Sequence, residues 1–259
     1  MWNRAGIKAN AKESLKRFYW PAFLVCIIVG IFTGGGRVSG GYSGFSNGFN
    51  RNSSSAESIG GIDYSFLHNP AIIGVTISIL LVIAIVVVIA IVIQLLVGNP
   101  LIVGKNRYFM CNRDEKTGIG AIGFAFESNF KNVVKTMFFV ELFTTLWTLL
   151  FIIPGIIKSY EYAMIPYILS ENPEMDSARV FELSKEMMMG QKWNYFVLQL
   201  SFIGWFLLGV LLCCIGGVFV QPYYEATLAE FYGWAREKMI STGFSNRYEL
   251  KGFGEGTEL

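Results

Sequence analysis

The stretch SKEMMMGQKWNYFVLQLSFIGW, residues 184–205, decides the class of this chain. Its first half is amphipathic and Met-rich and stops at Gly190. A basic and aromatic knot of Lys192, Trp193 and Tyr195 follows, and then an apolar run opens. A helix lying on a membrane face has this pattern where it turns into the bilayer. Lys and Trp hold the headgroup level while apolar residues take the acyl chains.

The rest of the chain fits that solvent. Of 259 residues, 53% are hydrophobic and 15% charged, too apolar for an ordinary soluble domain. The fold class predicted is all-α: an integral membrane helical bundle of about six transmembrane helices with interfacial amphipathic helices. Basic residues flank apolar runs instead of covering one polar domain, so no nucleic acid is expected as a partner.

Residues 1–17 form an amphipathic helix, with Ile7, Ala11, Leu15 and Phe18 on one stripe and Arg4, Lys8, Lys12 and Lys16 on another. It reads as a cytoplasmic anchor or as a helix for anionic lipid or a partner. Residues 18–36 are the first span, opening with Phe18, Tyr19 and Trp20; a cleaved signal peptide is the rival, and the long basic region argues for a retained anchor. Residues 37–70, rich in Gly, Ser and Asn, are expected to be a flexible outside loop. Residues 71–97 carry no charge and form the second span, long enough to tilt or protrude.

Asn99-Pro100 then ends or kinks the helix, and 98–135 is read as a solvated or interfacial cytoplasmic connector. Its spaced glycines, 118–123, follow no strand and do not make a dinucleotide fingerprint. Residues 136–170 are a helical hairpin broken at Pro154-Gly155, 171–194 a cytoplasmic amphipathic helix, 195–235 a second hairpin broken near Gly216-Gly217, and 236–259 a cytoplasmic tail. The hairpins align at an offset of 58 residues, which sets Trp147 on Trp205, Leu149 on Leu207 and Glu141 on Gln199. Beyond the breaks Tyr160-Glu161 matches Tyr224-Glu225, so an internal duplication is expected.

Charge tests the topology. Of 21 Lys and Arg, 18 fall before the first span, in 105–135, in 179–192 or after Trp234. Six spans put all 18 on one side, which makes both termini cytoplasmic. Helices 156–169 and 218–234 hold charges and can instead be re-entrant or interfacial, leaving four spans.

Ionisable groups at membrane depth point to function by default. The candidate intramembrane polar site is Glu141, Lys158, Glu161 and Glu225, with Gln199 and Gln221 as neutral companions. Lys158 and Glu161, three apart, can pair; the plainer reading has Lys158 snorkel to the outer interface while the glutamates tie helices together. Candidate interfacial contacts are Lys8, Lys12, Lys16, Met187, Met188, Lys192 and Trp193, the Met run being an adaptable partner surface or merely the apolar face of its helix. The only histidine is His68, and Cys26, Cys111, Cys213 and Cys214 lack C-x-x-C spacing, so neither a metal nor another cofactor is expected. No Ser/His/Asp set or phosphate loop occurs, and an enzyme is the weakest reading.

The motif S-x-x-M-M-x-G-x-K-W with L-x-L-S-F-I-G-W resembles the signature of the domain of unknown function 975 family, bacterial multi-pass membrane proteins. Lys8-x-x-x-Lys12, Tyr19-Trp20, Gly104, Pro154-Gly155 and P-Y-x-x-x-T-x-A-x-F-Y from Pro222 add to the likeness, which covers nearly the whole chain outside the Gly/Ser loop. The resemblance implies a bacterial cell membrane and carries no activity or catalytic residues. Two function classes remain. One is a non-enzymatic membrane component that binds lipid or a partner protein. The other is a small transporter or channel, a homo-oligomer, using Glu141, Glu161 and Glu225.

Overall fold

Two consecutive helices meet opposite environments, and that contrast organises the molecule. The computed structural model describes residues 3–33, 70–114, 117–211 and 216–253, and its regular elements are all helical. They are α1 (Arg4–Thr33), α2 (Pro70–Ile93), α3 (Asn99–Asp114), α4 (Phe124–Glu127), α5 (Phe130–Leu150), α6 (Ile152–Glu161), α7 (Ile165–Glu171), α8 (Ser177–Met188), α9 (Lys192–Leu211) and α10 (Gly216–Ser241). The expected outside loop, with His68, lies outside the described residues, as do Cys213 and Cys214.

α1 holds the amphipathic and apolar stretches in one helix, kinked at Phe18, which leaves helical geometry at φ −142°. Pro21 explains the site: in a straight helix its ring would strike the carbonyl of Arg17. The predicted stripe of Ile7, Ala11, Leu15 and Phe18 is buried, each under 8% exposed. It packs mainly on α10, so the chain itself occupies the apolar face of this helix.

α2 passes into α3 without a break. A π-helical turn, Gln94–Gly98, precedes Pro100 and absorbs the hydrogen bond and space that proline denies to a regular helix. On the α2 side every residue from 74 to 93 is exposed. On the α3 side Val103, Asn106 and Tyr108 are fully buried and Lys105 nearly so. For Asn99–Asp114 the reading as a solvated or interfacial connector is therefore corrected: α3 is an interior helix, packed against α1, α7 and α10. Its cations misled the sequence reading because their partners lie far along the chain. Gly104 fixes one contact, since a Cβ there would lie 1.9 Å from the Ile122 carbonyl oxygen in the 3-10 turn Ile119–Gly123.

The hairpin expected at 136–170 forms with different joints. α5 ends at Leu150 and the break falls on Phe151, extended at φ −153° and ψ 137°. Pro154 sits in the first turn of α6, where its missing N–H costs nothing. A Cβ on Gly155 would meet Thr148 Cα at 2.6 Å, so the glycine lets the two helices touch. α6 has 10 residues, about 15 Å of helix, and the chain turns again before the buried α7. α8 crosses the feet of this hairpin. Thr136 and Ser177 hydroxyls meet at 2.8 Å, the Ser184 hydroxyl donates to the Glu161 carbonyl at 2.6 Å, and Phe143 packs edge-on against Phe181.

Three helical stretches are long and apolar enough to cross a membrane: Arg4–Thr33, Gly74–Arg113 and Phe130–Leu150. Large exposed apolar side chains continue this character on the hairpin tips, at Leu149, Phe151 and Ile153 and at Trp205 and Leu207. Residues 244–253 fold back on the bundle, and Leu250 is completely buried.

Candidate functional site

Glu225 faces the interior because α10 turns it away from the exposed start of that helix, and it is 1% exposed. Lys105 reaches it from α3, Nζ to Oε1 at 2.6 Å, and Gln221, one turn back on α10, donates to the same oxygen at 3.0 Å. Glu225 Oε2 is buried without a hydrogen-bond partner, as is the Tyr108 hydroxyl. Cys26, from α1, lies within electrostatic reach of both members of the pair. Three helices distant in sequence thus close around one ion pair.

An aromatic series leads away from it. Tyr224 lies within electrostatic reach of Tyr195, Tyr160 and Glu225. The rings of Tyr160 and Tyr195 meet edge to face at 5.7 Å, and the Tyr160 hydroxyl donates to Gln199 Oε1 at 3.2 Å. The expected companions Gln199 and Gln221, with Tyr160, Tyr224 and Glu225, therefore lie along one series, which Glu161 does not join.

Glu161 belongs to a separate clamp. Its carboxylate receives Lys158 at 2.6 Å and Lys192 at 2.5 Å, and its side chain is 8% exposed. The predicted Lys158–Glu161 pair forms, and the Lys158 ammonium also lies over the Trp147 ring at 5.6 Å. The elbow after α8 needs Gly190, at φ +70°, a left-handed conformation that favours glycine. Glu141 is half-buried on α5.

Of the expected interfacial contacts, Lys12, Lys16 and Trp193 are exposed. Lys8 lies over the Phe202 ring at 4.1 Å, and Lys192 is held by Glu161. Met187 and Met188 are fully buried, so the adaptable Met surface is corrected to a core contact; only Met189 is exposed.

Sequence reasoning missed two further clusters. Glu171, with its side chain wholly buried, accepts from Arg236 Nε at 2.8 Å, the Tyr232 hydroxyl at 2.7 Å and the Gly252 N–H at 2.6 Å. Arg179 grips Glu249 through two bonds, at 2.6 and 3.1 Å, and Glu182 through a third. The Arg179 guanidinium holds the Glu249 carboxyl below the ordinary glutamate range, and those same bonds push the Arg179 value up. The available signal was the carboxylate of Glu171 two residues beyond the apolar run 163–169, which marks a buried acid in need of a cation. Among the described residues, no three His, Cys, Asp or Glu converge as a metal cage requires.

No curated protein and no solved structure matches the chain. A family model described as "Protein of unknown function (DUF975)" matches residues 117–238. That range holds Glu161, Glu171, Lys192, Glu225 and Arg236 and leaves out Lys105, Tyr19-Trp20 and Gly104, so it is narrower than the likeness read from the sequence. This match over residues 117–238 supports the resemblance to the domain of unknown function 975 family read from the sequence.

Proposed function

We propose that the chain is a multi-pass cell-membrane component without catalytic activity that binds lipid or a membrane protein partner. One observation carries this: α2 exposes fifteen large Ile, Leu and Val side chains between Val75 and Ile93, with no charged residue among them. Each gains roughly 1.5–3 kcal/mol when removed from water, so a surface of this size calls for an apolar solvent.

In this reading α1, α2, α9 and α10 cross the bilayer. α6, about 15 Å long, is half the roughly 30 Å of the hydrocarbon core. The α5–α6 hairpin therefore dips in and returns, which replaces the six-span expectation with four crossings and one re-entrant hairpin. The charge argument is unaffected, because a hairpin that starts and ends on one face leaves the basic groups together and both termini cytoplasmic.

Transport is the second reading, supported by the tyrosine series between Gln199 and Glu225 and by the unpartnered Glu225 Oε2. Against it, Glu161 and Glu225 are each bound to lysine and lie in different clusters. Reconstituted in sealed vesicles, the chain is expected to leave proton and monovalent-cation gradients intact. A flux abolished by Glu141→Gln, Glu161→Gln and Glu225→Gln together would overturn the binding reading.

A further inference from the structure

Between the end of α2 and the start of α5 an open cleft encloses about 490 Å³, within the roughly 300–1,000 Å³ of small-molecule sites. Val92, Leu96, Val134 and Phe138 form an apolar wall, and Lys131 and Lys135 border it. The two lysines are one helical turn apart, both exposed, and neither joins an ion pair among the described residues. Lys105, Lys158 and Lys192 each hold a carboxylate. Like charges at this spacing repel, so an anion held between them removes a cost. Lysine stems lend apolar length to a wall while their ammonium groups stay at its rim.

We propose that this cleft seats one acyl chain of an anionic phospholipid whose phosphate lies between the ammonium groups of Lys131 and Lys135. A free phosphate would use the cations and leave the wall bare. A zwitterionic lipid would use the wall and leave the cations uncompensated. The lipid that matches both needs an acyl chain and net negative charge. The proposal rests on the membrane reading above and adds to it a place and a ligand class.

The full chain is reconstituted in phosphatidylcholine vesicles containing spin-labelled phosphatidylglycerol or spin-labelled phosphatidylcholine, and the motionally restricted lipid is counted. Each lysine beside an anionic headgroup favours it by about fivefold, so a preference for phosphatidylglycerol of at least that order is expected. Lys131→Gln with Lys135→Gln should bring the ratio to about one. Val134→Trp, which fills the cleft, should release the restricted phosphatidylglycerol with both lysines in place. Soluble glycerol phosphate should displace nothing. No preference in the wild-type chain, a preference that survives the double glutamine variant or the tryptophan, or displacement by glycerol phosphate would overturn the proposal. Alkaline extraction separates the two readings. A wild-type chain that washes off the vesicles sinks membrane integration itself, whereas an integral chain without lipid preference sinks only the cleft.

Discussion

Lys105 Nζ lies 2.6 Å from Glu225 Oε1, with side chains 4% and 1% exposed, and this bond joins an interior helix outside the matched family range to one inside it. Removing one member of a buried pair strands a charge and costs about 3–5 kcal/mol, whereas replacing both with apolar residues is often neutral. Lys105→Met and Glu225→Leu should therefore each lower the unfolding midpoint in detergent, and the double variant should recover most of the loss. A double variant as unstable as the singles would show that the pair does more than compensate its own burial.

Gly104 and Gly6 offer a matched contrast within helices. A Cβ at Gly104 collides with the Ile122 carbonyl at 1.9 Å, a backbone atom that cannot swing away, while Gly6 has open space around it. Gly104→Ala should destabilise by about 1–3 kcal/mol or more through overpacking. Gly6→Ala should stabilise by about 0.4–1 kcal/mol by restricting the unfolded chain. Thermal unfolding of the two variants in one detergent checks the difference in sign.

Legibility followed the range of the interaction. The stripe of Ile7, Ala11, Leu15 and Phe18 was readable because helical period alone fixes which residues share a face, and all four are buried. The Lys158–Glu161 pair was readable for the same reason, being three residues apart. Lys105 was not: its partner is 120 residues away, and a lysine among glycines and aromatics looks solvated until a distant helix supplies the carboxylate. Arg113 with Glu230 and Arg236 with Glu171 escaped likewise. Met187 and Met188 mark the opposite limit, since amphipathicity gave their face correctly but not what covers it.

The Arg179–Glu249 contact makes docking of residues 246–250 depend on pH. Arg179 holds the folded Glu249 value below the ordinary 4.5, so the carboxylate contributes stability above pH 4.5 and loses it as pH falls through the folded value. The pair is partly exposed, so the effect is modest and screened by salt. Amides of residues 246–250 should lose hydrogen-exchange protection below about pH 4.5 once intrinsic rates are corrected. Glu249→Gln should give weaker protection without that pH dependence.

α2 carries enough apolar surface to tolerate one central charge but not three. Its fifteen exposed Ile, Leu and Val residues favour insertion by roughly 5–9 kcal/mol, and each central Arg opposes it by about 2.5–3.5 kcal/mol. Val86→Arg alone should still integrate, judged by resistance to alkaline extraction of a fragment of residues 70–98 that holds α2 without α1. Val82→Arg, Val86→Arg and Ile89→Arg together should release it. Release by the single change would mean that α2 is not held by lipid in the way its exposure implies.

The tip of the first hairpin decides between a re-entrant loop and a full crossing. Thr136 is tied to Ser177 and Glu161 to Lys192, so both feet of the hairpin stand at the level of α8 and its exposed Glu182 and Lys185. Beyond Phe143, which meets Phe181 of α8, only seven residues of α5 remain before Phe151, about 10 Å of helix. A tip at that height stops inside a core about 30 Å thick. In a background without native cysteines, Phe151→Cys should resist a membrane-impermeant maleimide from either side. Glu174→Cys, exposed just before α8, should label from the cytoplasmic face. Labelling of Phe151→Cys from the outer face would restore a complete crossing by α5, and α6 would then have to leave its foot, with Glu161 and Lys192, within the hydrocarbon.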